Sequence, residues 1–172
     1  MRPARRSLTV LALALIGQSC GWNKTMTFPS PSGKAVVEIF QPPIENSWGV
    51  QVDLVRSGGR TRLFEGHRDE FLYFVHVYWS PDETTVGVLA RGFTRFEIAY
   101  DSSASKQIPF SEIRNDLADS IKRFYGLPQA LDPFDWVETT EGQCAFFARH
   151  PEFKVTYHPS NSRGPCPQSV NQ

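Results

Sequence analysis

Apolar and polar residues alternate through the middle of the chain, and the period of that alternation changes along it. In Val50-Gln51-Val52-Asp53-Leu54 the apolar residues share one side, and Phe96, Ile98 and Tyr100 do the same in Phe96 to Tyr100. A period of two marks a strand with one buried face. Tyr73 to Trp79 (YFVHVYW) is apolar or aromatic on both sides, which predicts a central strand covered on both faces. From Ser111 to Tyr125 the period becomes helical, with Ile113, Leu117, Ile121, Phe124 and Tyr125 in one stripe. Ser111 is the expected N-cap, and Gly126 with Pro128 the stop. Beyond it, Asp132-Pro133 predicts a short helical turn, Glu138 and Glu141 an exposed loop, and Phe153 to Tyr157 a last strand. The expected fold class is α+β: one antiparallel meander sheet built from two similar units, with an amphipathic helix packed on one face.

The two units lie at an offset of 50 residues. Ser30-Pro31-Ser32-Gly33-Lys34 is followed by strands at Ala35 to Phe40, Val50 to Leu54 and Thr61 to Phe64. Ser80-Pro81-Asp82-Glu83-Thr84 is followed by strands at Thr85 to Ala90, Phe96 to Tyr100 and Ile108 to Phe110. Proline presets the second position of each turn, and Gly58-Gly59 supplies a tight connection within the first unit. Over residues 28–110 this pattern resembles the WD40-like (TolB-type) propeller repeats of bacterial periplasmic proteins, whose blades carry a Ser-Pro-Asp-Gly turn and four antiparallel strands. Ser32 stands where that turn has Asp, and Glu83 where it has Gly. Two blades cannot close a ring that typically needs four to eight. The expectation is therefore two blade-like meanders continued into one sheet.

The amino terminus sets the compartment. Arg2, Arg5 and Arg6 precede the apolar run Leu8 to Ile16, then Gly17-Gln18-Ser19 and Cys20. This is the order of a secretory signal peptide, and the run is shorter than the roughly 20 residues a membrane-spanning helix needs. Ile16 to Cys20 resembles a bacterial lipobox, which implies a lipid on Cys20, although Gly17 and Gln18 depart from the preferred residues. Gly17 and Ser19 also satisfy ordinary secretory cleavage, so both routes stay open. The reading divides the chain into a signal peptide (1–19), a tether (20–27), one globular domain (28–158) and a polar C-terminal tail (159–172). Removing residues 1–19 takes three of the 18 Lys+Arg and none of the 18 Asp+Glu, leaving a net charge of −3 and no basic run. That excludes nucleic acid as an expected partner.

Candidate chemistry is sparse. His67, His76, His150 and His158 show no metal-ligand spacing, and no Cys-x-x-Cys, nucleophile elbow, phosphate loop or dinucleotide fingerprint occurs. No metal, cofactor or catalytic residue is assigned. His76, mid-strand among aromatics, reads as a satisfied core histidine, and His67 as part of a solvated loop. Asp132, Asp135, Glu138 and Glu141 form the one carboxylate cluster, and Asp132 before Pro133 reads as a helix cap. Lipidation of Cys20 would leave Cys144 and Cys166 to pair as a disulfide in an oxidising compartment. The expected role is a non-enzymatic envelope protein, held to the membrane through a lipid at Cys20, that binds another envelope protein or a wall component by a sheet edge or loops. The alternative is a small secreted hydrolase using Asp132 or Asp135 with a histidine.

Overall fold

The computed structural model describes residues 23–41, 50–66, 72–92 and 95–150. Within them the fold is α+β with sheet dominant. There are two four-stranded antiparallel sheets, each running in sequence order. The first comprises β1 (Asn23–Pro29), β2 (Ala35–Gln41), β3 (Val50–Arg56) and β4 (Gly59–Gly66); the second comprises β5 (Phe74–Trp79), β6 (Thr85–Arg91), β7 (Arg95–Asp101) and β8 (Lys106–Gln107). Helices α1 (Arg114–Tyr125), α2 (Pro133–Trp136) and α3 (Thr140–Arg149) follow.

Each sheet thus has four strands with a Ser-Pro turn between its first and second. The single continuous sheet expected from the sequence is corrected to two. Among the described residues the strands that would have joined them, β4 and β5, each pair on one side only, with β3 and β6. The sheets meet face to face instead, where Phe64 of β4 stacks on Phe96 of β7 with ring centroids 4.5 Å apart and planes 7° from parallel. Register assigns the remaining faces. Val52 opposes Ile39 and Phe64, and Leu54 opposes Val37, so these apolar residues share the Phe64 face. In the second sheet Val88 opposes Val77 and Ile98, and Ala90 opposes Val75 and Phe96, giving the matching face. Val37, Ile39, Val52, Val86 and Val88 lose all contact with solvent between them.

Several further expectations change. The predicted tether overlaps β1, whose Met26 and Phe28 oppose Ile39 and Val37. Tyr73 to Trp79 is not central: β5 stands at one end of its sheet, although its two faces are largely buried. The short strand placed at Ile108 to Phe110 falls earlier, at Lys106–Gln107, and Phe110–Glu112 forms a 3-10 turn. Ser111 therefore lies inside that turn rather than capping α1, which starts after Ile113 with no side-chain cap. Gly126 does end α1, in the left-handed conformation. The loop expected around Glu141 is the first turn of α3.

Candidate functional site

The polar counterpart of the buried face lies on the far side of the first sheet. Alternation along β2, β3 and β4 puts Glu38, Gln51, Asp53, Arg60, Arg62 and Glu65 together there, with Asp53 opposite both Glu38 and Arg62. The Asp53 carboxylate is wholly buried. It accepts from Gln51 Nε2 (2.8 Å), Arg60 Nη1 (2.7 Å) and Arg62 Nε (2.5 Å). Arg60 also donates through Nη2 to Glu38 (2.7 Å), and Arg62 through Nη1 to Glu65. Burying a carboxylate costs several kcal/mol unless charge and hydrogen bonds compensate, and here three donors do so. The Arg60 guanidinium, 5.3 Å from the centre of the Phe40 ring, is held further in its charged form, first by the hydrogen bond to Asp53 and then by Glu38.

The lattice has a particular chemical property. Arg60 and Arg62 remain 47 % and 40 % exposed while their ends are fixed from below. A guanidinium carries five N–H donors, and each of these hydrogen bonds takes one, so each arginine keeps donors for another molecule. Because their rotamers are already set, such a molecule binds with less loss of side-chain entropy. This cluster was not singled out in the sequence. Its signal was the polar phase of the same alternation that placed Val50, Val52 and Leu54, continued as Arg60 and Arg62 on β4.

The residues that the sequence did single out have structural roles or lie elsewhere. His76 of β5 is buried, its Nε2 2.9 Å from the Ser120 hydroxyl on α1 and its ring against Phe124 and Tyr125. Burial, reinforced by the nearby His150, lowers its pKa to about 4. His150 ends α3 with its ring beside Phe146 and Phe28. Asp132 accepts the Phe134 N–H (2.8 Å) and caps α2, as the Asp-Pro pair predicts, while Asp135 is exposed. Glu138 pairs with Arg91 and Arg95, tying the end of α2 to the second sheet. Among the described residues no three of His, Cys, Asp or Glu gather at metal-binding distance. Cys144 sits half-buried in α3. Cys20, Cys166, His67 and His158, with the signal-peptide, final-strand and C-terminal segments, lie outside the described residues. Among the described residues no helix is long and apolar enough to cross a membrane.

No protein-family model matches the chain, and neither a curated protein nor a solved structure does.

Proposed function

We propose that this chain is an exported cell-envelope protein, anchored through a lipid on Cys20, which binds a polar envelope partner or wall component without catalysing a reaction. In this reading its domain consists of two WD40-like blades, with α1 packed over the outer face of the second. The blade assignment is supported by four sequential antiparallel strands in each sheet and a Ser-Pro turn after the first strand of each. The helical cover is supported by the full burial of Leu117 and Ile121, by the His76–Ser120 hydrogen bond, and by Gly87, where a Cβ would collide with Ile113.

One observation carries the binding site: a wholly buried carboxylate, Asp53, holds two arginines that remain nearly half exposed. The lattice residues Glu38, Asp53, Arg60, Arg62 and Glu65 sum to a charge of −1. It therefore suits a partner that offers hydrogen-bond acceptors and some donors rather than a polyanion. The hydrolase reading lacks comparable support, because Asp132 is engaged as a cap and His76 is buried against a serine.

Photo-crosslinking on membranes tests the proposal. A photoreactive residue at Glu65 is expected to give a discrete crosslinked product that Arg62→Ala abolishes, whereas one at Asp119 on α1 gives none. Equal products from both positions, or none from Glu65, would refute the site. Release of the protein from membranes by Cys20→Ala tests the anchor separately.

A further inference from the structure

The two Ser-Pro turns share a backbone but not a chemistry. In the first, Ser30 receives the Gly33 N–H (2.9 Å) and donates its own N–H to Ala35 (2.8 Å); in the second, Ser80 receives the Glu83 N–H (2.8 Å) and donates to Thr85 (2.9 Å). The fourth residue is left-handed in both, Gly33 at φ 71° and Glu83 at φ 58°. That conformation favours glycine, and a residue with a Cβ adopts it against a steric penalty. The third residues also differ. Asp82 accepts from Ser80 Oγ (2.6 Å), Thr84 N (3.1 Å) and Thr84 Oγ1 (2.9 Å), so the second turn contains its own carboxylate. Ser32 brings none to the first.

The missing carboxylate comes from the other sheet. Glu83 reaches across 51 positions in sequence, accepting Ser32 N–H at Oε1 (2.6 Å) and Ser32 Oγ–H at Oε2 (2.6 Å). Two more polar contacts close the same end of the molecule: Arg56 at the end of β3 donates to the Ser102 carbonyl (3.1 Å), and Ser102 Oγ donates to the Glu83 carbonyl (3.5 Å).

We propose that Ser32 and Glu83 are a compensating pair that forms a latch between the two sheets, the strained backbone at Glu83 being retained for the cross-sheet bonds its carboxylate makes. Each residue by itself departs from its counterpart in the other turn; together they join the turns. The latch is acid-labile. Its bonds, those from Ser32 first, hold the Glu83 carboxyl below its ordinary value of 4.5, so its contribution is complete near neutral pH and is lost as pH falls through the lowered value. The charge that acts on it directly is Lys34 in the first turn; Asp82 precedes it in its own turn, Asp101 stands opposite Thr85, and Arg56 holds the Ser102 carbonyl.

A double-mutant cycle in the full chain, read by thermal melting, decides the matter. Glu83→Gly removes the backbone strain yet is expected to lower the Tm by a few degrees. Ser32→Asp is expected to lower it also, because two carboxylates then face each other. The double variant, with Asp and Gly in both turns, is expected to recover most of the loss. The gap between wild type and Glu83→Gly should shrink as pH falls from 7 to 3, the titration of Asp82 and Asp101 being common to both. A higher Tm for Glu83→Gly, losses that simply add in the double variant, or a gap independent of pH would overturn the latch. If Glu83→Gly fails to fold, folding of the double variant supports the pairing and its failure refutes it.

Discussion

His76 shows how one residue couples solvent conditions to the fold. Its imidazole lies between β5 and α1, and burial lowers its pKa from 6.5 to about 4. The unfolded chain therefore takes up a proton that the folded one refuses between those values. Stability is complete above pH 6.5 and falls as pH drops toward 4, by about 3 kcal/mol if this histidine acts alone. His76→Gln keeps a polar group for Ser120 but cannot titrate. Urea titrations of both proteins from pH 7 to pH 4 are expected to show a shallower decline for the variant; parallel declines would mean that other groups set the acid limit.

The elements differ in how plainly the sequence announces them. β3 and β7 are legible because every second residue is apolar and buried. β1 is not: Asn23 to Thr27 looks polar, and the irregular pairing between Lys24 and Met26 interrupts the phase that Met26 and Phe28 would otherwise display. α3 was missed because its buried side reduces to Gly142 and Phe146, too little for a stripe. Its one clear signal was Thr139, which caps the helix by accepting the Gly142 N–H (3.1 Å). Gly142 also yields a prediction whose sign is unusual. Replacing glycine with alanine inside a helix ordinarily stabilises by up to about 1 kcal/mol. Here the new Cβ would run into the Trp136 carbonyl, so Gly142→Ala should destabilise by about 1–3 kcal/mol in chemical denaturation. On α1, Leu117→Ala should cost about 2–5 kcal/mol and the exposed Asp119→Ala under about 0.5. Equal losses at the two positions would refute α1 as a cover.

At the scale of the molecule, the sequence could not distinguish one sheet from two. Alternation states which residues are buried, not which strand lies beside them, and the Phe64–Phe96 stack that separates the sheets joins residues 32 positions apart. The lattice around Asp53 was hidden for a related reason: Gln51, Asp53, Arg60 and Arg62 read locally as a solvated face, and cross-strand pairing is what buries the carboxylate. The carboxyl end brings a further test. The proposed Cys144–Cys166 bridge would tie residues beyond α3 back to the domain and contribute about 3 kcal/mol in the chain-entropy model. Intact mass after alkylation, with and without reductant, should show both cysteines protected until reduced. Alkylation of both without reductant would exclude the bridge.

The irregularity in β4 has its own consequence. Register slips between Val52 and Asp53, so Leu63 has no partner across the strand pair, and its carbonyl accepts from Gln107 Nε2 (2.9 Å) in the other sheet. A regular strand at the end of a sheet is a template on which an identical chain can lay its own strand, and repetition of that step makes a fibril. This border offers a poor template: its pleat is broken at Leu63, that carbonyl is already occupied, and Arg60 and Arg62 lead into the break. Molecules crowded on one surface would meet along this border without zipping together.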